Sequence, residues 1–145
     1  MQLIEWTTRF IKFKDAMERK LQSMKEENNK IICQFKDKTL TYVCGQLADF
    51  VPEDAIFVCE NTPENLDVLI KKWDAYTQCR KLMIIFVNLA RNEKWSIIPY
   101  THSLIAERES LEQGLRTLFD NCNGAVEKIP KAKKKMFEEP EDTEN

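Results

Sequence analysis

Two acidic residues stand where a strand should meet a turn. Asp37 lies in the polar break Lys36-Asp37-Lys38, and Glu60 directly follows the apolar run Ala55-Ile56-Phe57-Val58-Cys59. Two carboxylates plus water are what a Mg²⁺ ion accepts for phosphodiester hydrolysis, so this pair is the first candidate for a catalytic or metal site. Asp49, in the loop between them, is an alternative acid. A second set suits ligand binding: Glu60, Asn61, Asn88 and His102. Glu60-Asn61 ends one apolar run and Asn88 lies near the end of another. If those strands are parallel, the three residues share a carboxyl edge, where α/β sheets tend to bind ligands. His102 follows Pro99-Tyr100-Thr101, where a strand should leave the sheet, and polar loops at strand ends often carry sites. It is the only histidine, and no Ser-His-Asp or Cys-His signature surrounds it. Plainer roles compete with these: a hairpin-turn residue for Asp37, an acid preceding a helix for Glu60, a loop side chain for His102.

Composition removes other chemistries. The chain of 145 residues has 3 glycines, and neither G-x-G-x-x-G nor G-x-x-x-x-G-K-[ST] occurs. The 5 cysteines (Cys33, Cys44, Cys59, Cys79 and Cys122) are widely spaced, without a C-x-x-C. That excludes a zinc knuckle or dithiol redox motif, and Cys33, Cys44 and Cys59, in apolar strand-like runs, are expected to be buried free thiols in a reducing cytosol. The net charge of −2 gives no global basic excess to attract nucleic acid. No apolar run is long enough to span a bilayer, and Met1-Gln2-Leu3-Ile4-Glu5-Trp6 lacks the basic-then-apolar plan of a signal peptide. A cytoplasmic protein without membrane contact is the expectation. The only cofactor in view is Mg²⁺, under the nuclease reading.

The elements that must position these residues follow from periodicity. Leu3, Trp6, Phe10, Phe13, Met17, Leu21 and Met24 recur at spacings of three and four, predicting an amphipathic helix over 3–26. Runs 31–35 and 39–46 predict a hairpin. Ala55–Cys59 and Leu82–Leu89 are apolar on both faces, as central strands are. Between them Thr62-Pro63-Glu64 reads as a helix start, with Thr62 the N-cap and Pro63 at the first position. A helix to about Thr77 makes this a βαβ unit with parallel strands. Trp95–Tyr100 pairs back as a second hairpin. A C-terminal helix covers about 107–122, with Leu104, Ile105, Leu111, Leu115, Leu118 and Phe119 as the apolar set and Gly124 just past its end.

This element order over roughly residues 3–89 resembles the core of the restriction-endonuclease-like nucleases, the PD-(D/E)XK superfamily. In that family a hairpin leads to a strand bearing a Glu-x-Lys pair, and a second acid completes the metal site. The resemblance implies Asp37 and Glu60 as metal ligands. Glu60, however, is followed by Asn61-Thr62, so the lysine that orients the attacking water is missing; Lys71 or Lys72 on the following helix would have to substitute. A degenerate nuclease-like fold is the form the resemblance takes here.

The expectation is therefore one α/β domain over residues 1–127, with a mixed sheet of about five strands, and a charged tail over 128–145. The tail carries Lys131-x-Lys133-Lys134-Lys135, a run that could touch phosphate, followed by acids. The leading function is a non-catalytic binding or assembly module. Its alternatives are a metal-dependent nuclease using Asp37 and Glu60, and small-ligand binding at the sheet edge. A homodimer or protein partner would dock on the first-helix stripe of Trp6, Phe10 and Phe13.

Overall fold

Alternation along the two central strands divides the core. In β4 (Ile56–Glu60), Phe57 and Cys59 face one way and Val58 the other. In β5 (Met83–Asn88), Ile84 and Phe86 oppose Ile85 and Val87 in the same manner. A strand apolar on both faces must be covered on both faces, and these two are. The computed structural model describes residues 1–124. The tail expected over 128–145 lies outside the described residues.

The sheet has six strands in sequence order. β1 (Leu21–Glu27), β2 (Lys30–Phe35) and β3 (Thr39–Cys44) form an antiparallel meander. β3, β4 and β5 run parallel, and β6 (Glu93–Ile97) returns antiparallel to β5. The expected hairpin, βαβ unit and second hairpin are all present. The additional strand is β1, drawn from the segment expected to finish the first helix. That helix, α1, stops at Leu3–Glu18.

The stop is made by side-chain chemistry rather than by glycine. Arg19 takes a left-handed conformation (φ 52°), and its N–H donates to the Asp15 carbonyl. The Asp15 carboxylate then accepts from the N–H of Lys20 (2.8 Å) and of Leu21 (3.0 Å). Beyond this reversal Leu21 and Met24 pair with β2, and Asn28 (φ 57°) turns the short hairpin. Strand pairing outweighs the helix preference of this segment.

The two helical layers differ. Among the described residues α1 lies alone on one face, with Trp6 and Ile11 buried against Ile31, Tyr42, Cys44, Val58 and Val87. The other face carries α2 (Pro63–Lys71), α3 (Trp73–Tyr76) and α5 (Arg108–Cys122). Their Leu66, Leu69, Trp73, Leu111 and Leu115 enclose Phe57, Ile84, Phe86 and Trp95. Thr62 caps α2 as expected, accepting from the Asn65 N–H (3.2 Å). The helix expected to reach Thr77 breaks at Lys72, which separates α2 from α3. Pro99 opens a short helix, α4 (Pro99–Ile105), instead of closing β6. Leu104 and Ile105, expected inside the last helix, lie on α4 and are 67% and 80% exposed. Gly124 follows α5 with φ 89°, as a residue just past a helix end.

Candidate functional site

The parallel strands β3, β4 and β5 end together at the carboxyl edge. There Glu60 and Asn61 stand beside Asn88, as expected, with the Asn61 N–H donating to the Val87 carbonyl (2.8 Å). The two amides are nevertheless consumed by structure. Asn61 is buried. It donates through Nδ2 to the Phe119 carbonyl (3.1 Å) and to Asn123 Oδ1 (3.1 Å), and its Oδ1 accepts from Trp95 Nε1 (2.7 Å). Asn88 donates to the Cys122 carbonyl (3.2 Å) and to Asn123 Oδ1 (3.1 Å), and accepts from the Arg91 N–H (3.1 Å). These bonds tie the C-terminal turn of α5 to the strand ends and satisfy its last carbonyls. Asn61 and Asn88 thus act as locks, which corrects their expected role in ligand binding.

Sequence reading missed two members of this lock, Asn65 and Asn123. Asn65 donates to the Glu60 carbonyl (2.8 Å) and accepts from the Leu47 N–H (2.9 Å), fixing the end of β4 to the 3-10 turn Leu47–Asp49. Only its place three residues after the N-cap Thr62 hinted at a local role.

His102 is the second correction. β6 runs opposite to β4 and β5, so α4 begins at the amino end of those strands. His102 therefore sits at the far edge from Glu60, with its ring edge-on to Trp73 at 5.7 Å. The expected four-residue site does not assemble.

Nor do the two acids. β3 and β4 are parallel, with Cys44 level with Val58. Asp37 precedes β3 at the amino edge and Glu60 ends β4 at the carboxyl edge. At about 3.3 Å per residue the two carboxylates are separated by roughly 25–30 Å. The metal pair expected from Asp37 and Glu60 required antiparallel neighbours, and the parallel crossover removes it. Asp37 instead pairs with Lys20 at 3.3 Å, and that hydrogen bond, the largest influence on it, holds its carboxyl below the ordinary value. Among the described residues, no group of three or more His, Cys, Asp or Glu side chains is placed to hold a metal ion.

What remains at the carboxyl edge is a cleft of about 480 Å³ on the α1 side. Glu60, Gln2, Asn29 and Gln46 are its polar lining residues; Leu3, Ile4, Cys44 and Leu89 supply apolar wall. The start of α1 lies against it, and Gln2 provides no side-chain cap. The N–H groups of that first turn have no carbonyl to bond within the helix. Thr7, buried on the next turn of α1, accepts from the Cys44 thiol (3.4 Å) at the cleft floor. Burial pushes the Cys44 thiol up, so it stays protonated at neutral pH. Cys33 and Cys122 rise to about 11 for the same reason, and Cys59 rises further. All five cysteines are free, and Cys79 alone is not buried.

The first-helix stripe is split. Trp6 is buried, stacked on Phe10 (5.2 Å), and donates from Nε1 to Asn92 Oδ1 (2.8 Å). It is therefore a core residue rather than part of a docking face. Phe13 and Met17 are the exposed remainder, at 80% and 92%. No described helix is long and apolar enough to cross a membrane. Comparisons with protein-family models, with curated proteins and with solved structures gave no match.

Proposed function

We propose that this domain is a binding module whose ligand seats in the carboxyl-edge cleft beside Glu60. One observation carries the reading. Three parallel strands end beneath an open cleft of about 480 Å³, while the other face of the same edge is sealed by the Asn61–Asn88–Asn123 lock. Crevices outside the carboxyl ends of parallel strands are where such sheets bind ligands. A lone carboxylate, three amide residues and unbonded helix N–H groups fit a small polar ligand carrying a hydrogen-bond donor or positive group toward Glu60. This keeps the sheet-edge expectation but replaces Asn61, Asn88 and His102 with Gln2, Asn29 and Gln46. A degenerate nuclease-like ancestry would supply Glu60 alone to this site, and the added strand β1 departs from its element order.

The test is a screen of small polar metabolites against the isotopically labelled chain by NMR. Saturable shifts should centre on Gly45, Gln46 and Glu60 and weaken at least about tenfold in Glu60→Gln. Binding that Glu60→Gln leaves untouched, or shifts centred elsewhere, would overturn the reading.

A second reading is assembly through the outer face of α1, favoured by the exposure of Phe13 and Met17 one turn apart. Sedimentation of the native chain and of a Phe13→Glu, Met17→Lys variant decides it. A native dimer dissolved by the variant supports assembly; a native monomer ends it.

A further inference from the structure

The last turns of α1 are inside out. Phe13 and Met17 face solvent, whereas Lys14, Asp15 and Glu18 line a pocket against β2 and β3. An amphipathic helix normally does the reverse, and an inversion of this kind costs stability unless the polar face has a use. The pocket holds about 140 Å³ at the amino edge, opposite the carboxyl-edge cleft. Phe35, Leu40 and Ile11 form its apolar wall, and Lys20, Asp37 and Lys38 complete the charged rim.

Tyr42 also lines it, and its side chain points to a ligand. The residue is only 3% exposed. Its hydroxyl has no hydrogen-bond partner among the described residues, yet it is not among the polar atoms sealed from solvent; the one sealed without a partner is Tyr76 Oη. The little surface left to Tyr42 thus includes its hydroxyl, and Tyr42 lines the pocket. A nearly buried, unpartnered O–H on a residue that lines a polar cavity is a group waiting for an acceptor or a donor.

The rim charges define the complement. Lys20 and Asp37 neutralise each other at 3.3 Å. Asp15 is spent on two backbone N–H groups. Lys14, Lys38 and Glu18 make no ion pair among the described residues, although Lys14 lies 5.6 Å from the Phe10 ring. A simple anion would meet Glu18, and a simple cation would meet two lysines. A ligand bearing both signs satisfies all three. About 140 Å³ is the room of roughly five waters at about 30 Å³ each, so the ligand is small.

We propose that this pocket binds a small zwitterionic α-amino acid of the size of alanine or serine. Its carboxylate meets Lys14, Lys38 and the Tyr42 hydroxyl, and its ammonium meets Glu18. The site is independent of the carboxyl-edge cleft and stands whether or not that cleft is occupied.

The experiment is an NMR titration of the full chain with serine at millimolar concentration, alongside acetate, methylammonium and inorganic phosphate. Serine should shift the Glu18, Lys38 and Tyr42 amides saturably, and the three single-sign probes should bind at least about tenfold more weakly. Tyr42→Phe keeps the packing and should weaken serine roughly tenfold. Glu18→Gln, on the surface, should abolish the preference for serine over acetate. No saturation with serine, phosphate binding tighter than serine, or unchanged affinity in Tyr42→Phe each overturns the proposal. Shifts confined to the region of Glu60 do so as well.

Discussion

The two helical layers cover the same sheet by different means. The α2–α3–α5 layer is closed: Leu66, Leu69, Trp73, Leu111 and Leu115 fill the space over β4–β6, and asparagine side chains pin its edge. The α1 layer is one helix laid across strands β2 to β5, and a cleft remains at each of its ends. A single helix about 10 Å wide cannot seal so broad a surface. Strands are about 4.8 Å apart, so four of them outrun it. Closure therefore gives stability to one face, and incomplete closure gives the other its cavities.

The contrast is most exposed to a core truncation. Leu115→Ala, in the closed layer, should lose about 3 kcal/mol in urea unfolding, because the packed cluster around it holds the cavity open. Met17→Lys, on the open layer's outer side, should change stability by no more than about 0.5 kcal/mol. Comparable losses would break the distinction.

Next comes the lock. Asn61→Ala leaves Trp95 Nε1 buried without an acceptor and removes one of two amides holding Asn123, so about 2–3 kcal/mol should go. Hydrogen exchange should quicken along α5 ahead of α1. Uniform acceleration would show that the lock is not local to its layer.

A smaller effect belongs to the helix stop. Asp15→Ala frees the N–H groups of Lys20 and Leu21 and should cost about 1 kcal/mol, with α1 fraying in NMR relaxation.

The finest comparison sets two tyrosines side by side. Both hydroxyls lack partners, and burial, the leading cause in each case, raises Tyr42 and Tyr76 to about 12. A phenol whose ionisation is suppressed in the fold must lose stability as pH rises above about 10, where the unfolded chain ionises first. Tyr76 is sealed in the closed layer, so Tyr76→Phe removes a desolvated hydroxyl and should stabilise by up to about 1 kcal/mol. Tyr42 keeps access to its pocket, so Tyr42→Phe should move stability by less than about 0.5 kcal/mol. Thermal unfolding of both variants checks this, and both should flatten the alkaline loss.

Much of the frame was legible in the residues. The apolar runs at 55–59 and 82–89 read as strands covered on both sides, and Thr62-Pro63 as the opening of a helix. Loop length and the right-handed crossover then made the pair parallel. Period alone could not end α1, because its stop is Arg19 in a left-handed conformation and the Asp15 carboxylate, neither of which carries the glycine signal. For the same reason β1 was read as helix: Leu21 and Met24 suit either period, and only the partner strand chose.

The site was less legible, since side-chain commitment depends on what arrives from elsewhere in the chain. That Asn61 and Asn88 share an edge followed from strand order. That both are consumed by the end of α5, with sequence separations of 58 and 34, did not. The distance between Asp37 and Glu60 turned on one fact, the parallel pairing of β3 and β4. Thus the sequence alone determined the central strands, the βαβ unit and the thiol state, because these rest on local periodicity and composition. The tertiary structure decided which polar groups are spent and which are left facing a cavity, because a hydrogen bond is set by distance in space and not along the chain.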